Sequence, residues 1–126
     1  MRKEIKTPNA PLPIGPYNQA IVAGGFLFAS GQVAIDPATG KYIGGPIEEQ
    51  VKLVMSNIGA ILNAAGMNFN HIVKSTLFLK NMTQFATVNS VYQGYFPLSV
   101  PARETVEVSR LPLDADIEIS VIAYKE

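Results

Sequence analysis

The chain has 126 residues, with ten basic and ten acidic side chains that cancel, 48% apolar residues, only 16% charged ones and no cysteine. One domain over 1–126 is the expectation at this length, and the lack of cysteine excludes disulfides, thiolate nucleophiles and Cys-ligated metals. Balanced charge without clustered Lys or Arg leaves no footprint for nucleic acid, while few charges and a positive mean hydropathy leave apolar surface for a pocket or another subunit to cover.

The N-terminal "MRKEIKTPNAP" lacks the apolar stretch of a signal peptide, and no apolar run approaches the ~18 residues of a membrane span. A soluble, cytoplasmic protein with no membrane partner is expected. Residues 2–6 read as a short strand. The segment "TPNAPLPIGPYN", with four prolines and a glycine, reads as an extended loop, and long ordered loops tend to be functional. "QAIVAGGFLFASGQV" holds two apolar runs around Gly24-Gly25, a hairpin signal. "DPATGKYIGG" reads as a polar connection built from turn residues.

From Ile47 to Ala65 a helix is predicted, because Ile47, Val51, Val54, Met55, Ile58, Ile61, Leu62 and Ala65 recur at helical spacing. Pro46 suits its first position and Gly66 its stop. "HIVKSTLFLK" reads as an internal strand. A second helix is predicted over 83–96, with Phe85, Val88, Tyr92, Tyr95 and Phe96 as its apolar stripe and Asn89 at the edge of that stripe. Strands at 102–108 and in "DIEISVIAY" finish the chain. The order β-β-β-α-β-α-β-β implies an α+β mixed sheet with both helices on one face. The other face is left for a second subunit to cover.

Few residues carry chemistry. His71, the single histidine, lies among turn residues and reads as a surface position, and with no cysteine a His- or Cys-rich metal site cannot be assembled. The pairs Glu48-Glu49 and Asp114/Asp116 read as helix-dipole and solvation charges. No phosphate-cradling or nucleophile-elbow pattern is present. Ser30-Gly31 ends a strand, either as a plain turn or as a hydroxyl beside an approachable amide. Tyr17 is either a phenol held over a cleft or an aromatic plug. In "PLSVPARETVEV" alternation puts Ala102, Val106 and Val108 on one side and Arg103, Thr105 and Glu107 on the other. Arg103 is then either a solvated strand arginine or an anion clamp. Glu118 stands in an otherwise apolar strand, where a carboxylate is expensive unless paired or functional. Arg103 and Glu118 together suggest a cation for an anionic substrate and a carboxylate for water.

The blocks "IGPYNQAI", "ASGQ", "VNSVYQGYF", "PARETVEVSRLP" and "IEISVIA" resemble, in that order and along essentially the whole chain, those of the RidA family, also called YjgF or UK-type proteins. The resemblance implies a chorismate-mutase-like α+β fold and a homotrimer whose sheets form a central barrel with clefts between subunits. It also implies deaminase activity: cofactor-free hydrolysis of the imines and enamines that pyridoxal-phosphate enzymes release, among them 2-aminoacrylate, 2-iminopropanoate and 2-iminobutanoate. Carried over by position, the carboxylate-binding arginine falls on Arg103 and the water-handling glutamate on Glu118. The cleft residues fall on Tyr17, Ser30, Gly31, Asn89 and Thr105.

Thr105 stands where many members have cysteine, which removes thiol chemistry and leaves imine hydrolysis intact. Asn18 and Ser120 also depart from common family residues, Ser and Glu respectively. The alternative is a non-catalytic trimer that binds a small carboxylate and regulates a partner. Cleavage of RNA, attached to relatives, is disfavoured by neutral charge and a single histidine.

Overall fold

The computed structural model describes residues 1–126, and its strands form one six-stranded sheet and a separate two-stranded ribbon. The chain enters through β1 (Arg2–Ile5), β2 (Ala20–Ala23) and β3 (Phe26–Ala29), an antiparallel meander. Gly24 and Gly25 turn the β2–β3 hairpin at φ of 57° and 85°, a turn with two positive φ angles that only glycine adopts without steric cost. The ribbon of β4 (Ile35–Asp36) and β5 (Lys41–Tyr42) follows, then α1 (Ile47–Ala64), β6 (Ile72–Leu79), α2 (Phe85–Gln93), β7 (Ala102–Glu107) and β8 (Ile117–Tyr124).

β8 inserts between β3 and β6, giving the order β1-β2-β3-β8-β6-β7. Only β6 and β7 run parallel, as the crossover through α2 requires. The expected six strands, two helices and mixed sheet are present. The differences are local. The polar connection "DPATGKYIGG" holds the end of β4, which begins one residue earlier at Ile35, and all of β5, two-residue strands too short to show a period. Pro46 is the N-cap of α1 and not its first turn. α2 is shorter than 83–96: its approach is a 3-10 turn over Met82–Gln84, and the helix stops at Gln93, although Phe96 beyond it is still 5% exposed.

One layer of helices covers one face. Val51, Val54, Met55, Ile58, Ile61 and Leu62 of α1 pack in one cluster with Leu27, Leu77, Leu79, Ile117, Ile119 and Val121 of the sheet. Each such side chain contributes ~1.5–3 kcal/mol on burial, so this seam holds the fold. α1 also buries two amides. Gln50 accepts from the Tyr42 hydroxyl at 2.8 Å and donates to the Gly45 carbonyl at 2.9 Å and to Asp116 Oδ2 at 2.8 Å. Asn57 donates to the Ile35 carbonyl at 2.8 Å. These satisfied polar contacts lock the β4–β5 ribbon and the approach to β8 onto the helix.

The second face of the sheet has no helix. Phe28 and Ile122 are register partners there, as are Phe26 and Tyr124, and Phe78 lies between Val106 and Glu118. Phe26, Phe28 and Val106 are 41%, 47% and 43% exposed. No helix is long and apolar enough to cross a membrane.

Candidate functional site

Glu118 is the second residue of β8, and strand alternation fixes its direction. Ile117 and Ile119 enter the core, so Glu118 points from the bare face. Asp116, two residues before it, is held by Gln50, and its backbone N–H lies 3.3 Å from the Tyr42 hydroxyl oxygen. The carboxylate therefore projects from a strand whose start is pinned. Glu118 makes no ion pair, and its partial burial pushes the carboxyl above the usual carboxylate range. Gly31 lies against it. A Cβ at Gly31 would overlap Glu118 Oε2 and stand 2.7 Å from the carboxyl carbon, so the glycine is needed for space and not for its φ.

The proline loop closes this half-site. Gln19, 2% exposed, accepts from Thr7 N–H at 2.7 Å and donates to the carbonyls of Thr7, Ala10 and Pro11 at 3.0, 3.2 and 2.9 Å. One buried amide thus organises a segment that has no secondary structure of its own. The Ser30 hydroxyl donates to the Asn18 carbonyl at 2.6 Å, tying the far end of the same loop. Tyr17 remains 46% exposed, so the aromatic-plug alternative fails, and its hydroxyl accepts from Ile14 N–H at 3.3 Å. A cavity of about 160 Å³ results, lined by Tyr17, Gln19, Gly31, Gln32, Pro112 and Glu118 among others.

Arg103 is the second residue of β7 and pairs in register with buried Ser75. It therefore faces the helix side, as does Thr105 opposite Leu77. Arg103 is half-buried and not fully solvated: the guanidinium carbon lies 5.5 Å from the centre of the Phe85 ring and 5.2 Å from that of Tyr92. Tyr92 donates its hydroxyl to Ser75 Oγ at 2.9 Å. Burial pushes the Tyr92 phenol up, against the opposing pulls of the Ser75 hydrogen bond and the Arg103 charge, so it stays a neutral donor at physiological pH.

A cleft of about 420 Å³ opens at the guanidinium, lined by Asn89, Tyr92, Gln93, Val100, Pro101 and Arg103. Two buried polar atoms have no hydrogen-bond partner, Asn89 Oδ1 at this cleft and Thr105 Oγ1 farther along β7. Buried polar atoms are nearly always paired, so an orphan acceptor beside a free guanidinium suits a ligand that carries both an anion and a donor.

The fold brings Tyr17, Gly31 and Glu118 together, with Ser30 bracing them, and brings Arg103 and Asn89 together at one cleft, while Thr105 follows Arg103 on the same face of β7 without lining that cleft. Within one chain it does not join the two groups. The register sets Glu118 in the row of Phe78 and Val106, and Arg103 in the row of Ser75 and Val121, which is the opposite face of the sheet. Other candidates have structural duties. His71 Nδ1 accepts from Asn68 N–H at 3.0 Å and caps a 3-10 turn. Glu48 and Glu49 lie in the first turn of α1. Asp114 pairs with Arg110 at 2.7 Å on the surface.

Sequence reasoning missed Gln19, whose only signal is an amide at the junction of loop and strand. Phe85 and Tyr92 were legible as apolar stripe, and their seven-residue spacing puts both rings on one side of α2.

Comparison with known proteins follows the same outline. The family model described as Endoribonuclease L-PSP matches residues 7–125. A RutC family protein of Pyrococcus horikoshii is 56% identical over 126 residues, 100% of either chain. The Mus musculus protein named 2-iminobutanoate/2-iminopropanoate deaminase is 44% identical over 99% of this chain and 93% of its own. The crystal structure of the Rid family protein YyfA from Yersinia pestis superposes with a TM-score of 0.96 at 47% identity, covering 99% of this chain and 100% of that one.

Proposed function

The chain belongs to the Rid family, whose model carries the description Endoribonuclease L-PSP, and on that premise we propose that it hydrolyses reactive 2-imino acids to 2-oxo acids and ammonia. The observation that carries the proposal is the guanidinium of Arg103, free of any carboxylate and open to a cleft. A 2-imino acid has a carboxylate beside an electrophilic carbon, so catalysis needs chiefly positioning and water. Arg103 takes the carboxylate with paired charge-assisted hydrogen bonds. Glu118, its carboxyl raised by burial above the usual carboxylate range, takes a proton from the water that adds to the C=N carbon and passes it to the nitrogen, leaving a carbinolamine. As the adduct collapses, Glu118 takes its hydroxyl proton and delivers it to the nitrogen, so that C=O forms, C–N breaks and ammonia departs. 2-Aminoacrylate enters after tautomerising to 2-iminopropanoate.

Arg103 and Glu118 stand on opposite faces, and so small a substrate does not reach across a sheet. The working cleft is therefore built from two chains in a homotrimer, the arginine half of one meeting the carboxylate half of the next. The bare face, with Phe26, Phe28 and Ile122, supplies the apolar surface such an assembly buries. The lone histidine is spent as a cap, which leaves an RNA-cleaving reading without its usual acid-base group.

The test is a threonine dehydratase reaction with and without this protein, following early 2-oxobutanoate. Acceleration by the parent chain is expected. Arg103→Ala loses ~1.5–3 kcal/mol, about ten- to a hundredfold in kcat/KM, and Arg103→Lys is also severely impaired, because a point charge lacks the parallel donors. A chain that binds 2-oxobutanoate and leaves the imine's lifetime unchanged is a carboxylate receptor, not a deaminase.

A further inference from the structure

Arg103 has an unusual way of being held. The chain's ion pairs are Lys6–Glu4, Lys52–Glu49, Lys74–Glu104 and Arg110–Asp114, so no carboxylate neutralises this guanidinium. Two aromatic rings stand in its place, Phe85 at 5.5 Å and Tyr92 at 5.2 Å. They lie seven residues apart, two turns along the same side of α2. The chemistry of the choice is specific. A carboxylate would fix the arginine and also occupy the donors that a ligand needs. A ring face attracts the cation through its quadrupole and leaves the N–H groups in the guanidinium plane unoccupied. Tyr92 is itself immobilised, 4% exposed and bonded to Ser75. Phe85 is 39% exposed, an aromatic at the start of α2 that the core does not require.

We infer that Phe85 and Tyr92 are positioning residues for Arg103: the two rings hold the guanidinium with its donors presented to the cleft, ready for an anion that displaces no internal partner. This rests on the reading of Arg103 as the carboxylate clamp. It adds that the clamp is set by α2 as well as by β7, and that ligand affinity depends on a ring that need not touch the ligand.

Phe85 is the residue to change, since Tyr92 belongs to the core cluster. Phe85→Leu keeps apolar bulk and removes the ring face, whereas Phe85→Tyr restores a ring. With 2-oxobutanoate as a stable probe, titration calorimetry is expected to show affinity about three- to tenfold weaker for Phe85→Leu, with Phe85→Tyr near the parent. In turnover KM rises by the same factor while kcat holds, and Tm and assembly mass stay at parental values. A purely structural contact would not separate Tyr from Leu in this way. Arg103→Ala is measured alongside. If it loses the probe and Phe85→Leu binds like the parent, the positioning role is overturned and the clamp stands. If Arg103→Ala binds like the parent, the clamp itself is wrong and this inference goes with it.

Discussion

Replacing Gly31 by alanine separates activity from stability, and the geometry says by how much. The backbone on either side of Gly31 cannot yield: Ser30 N–H donates to Gln19 at 2.9 Å, and Gln32 exchanges two bonds with Ile119 at 2.8 and 3.0 Å. The new methyl would stand 2.7 Å from the Glu118 carboxyl carbon, where normal contact is about 3.5 Å. The carboxyl must therefore retreat by nearly 1 Å, and a misplacement of about 1 Å can cost ~100-fold in rate. The group that moves is the end of a flexible side chain, so its strain is about 0.5–1.5 kcal/mol. Gly31 is not at positive φ, and the smaller entropy of the unfolded alanine chain returns about 0.4–1 kcal/mol. Net stability stays within about 1 kcal/mol, a few degrees of Tm. The dehydratase-coupled assay and a thermal melt, run on one preparation, check both numbers. Parental kcat/KM for Gly31→Ala would show that the Glu118 carboxylate is not where the chemistry happens. A further loss when the change is added to Glu118→Gln would show that it acts through some other group.

Glu118→Gln is expected to lose about 10²–10⁴-fold in kcat/KM and yet to melt higher than the parent at neutral pH. The folded pKa of Glu118 lies above its unfolded value, so the folded state holds the proton more tightly, and stability falls as pH rises from the ordinary carboxylate range through the raised one. The advantage of Gln should fade below about pH 4; an equal advantage at every pH contradicts the desolvation argument. Thr105→Val removes a buried hydroxyl with no partner, so most activity survives and stability holds or rises; a thousandfold loss in an intact assembly would reveal a role for that hydroxyl. Gln19→Ala strands a buried N–H and its carbonyl partners, with a cost of at least ~1–3 kcal/mol and faster proteolysis within residues 7–18; an unchanged digestion pattern argues against Gln19 as the loop's anchor.

The fold was legible wherever a period repeats. Eight apolar positions at helical spacing announce α1, Gly24-Gly25 announces the first hairpin, and the alternation from Ile117 to Ala123 announces a strand with two unlike faces. Two-residue strands have no period to read, and the shortened α2 follows from a 3-10 turn that Asn81 initiates by accepting from Thr83 N–H at 3.0 Å. At the site, residue types pointed to Arg103 and Glu118, but only strand register tells which face each takes, and register depends on partners far along the chain. Gln19 and Gln50 were invisible for a related reason. An amide among apolar neighbours looks the same whether it is solvated or holds four groups at once.

The separation of Arg103 and Glu118 by the thickness of the sheet has a consequence in genetics. In the proposed ring of three, each cleft draws its cation from one chain and its base from the next. A cell carrying one allele with Arg103→Ala and another with Glu118→Gln makes mixed rings. At equal expression about one cleft in four then joins two undamaged halves. Two lesions in a single gene should complement each other as if they lay in two genes, with growth rescued only when both proteins share a cell and exchange subunits. Pairs of alleles that damage the same half should never do so, and a mutation map built on this criterion would sort residues by the face of the sheet they occupy.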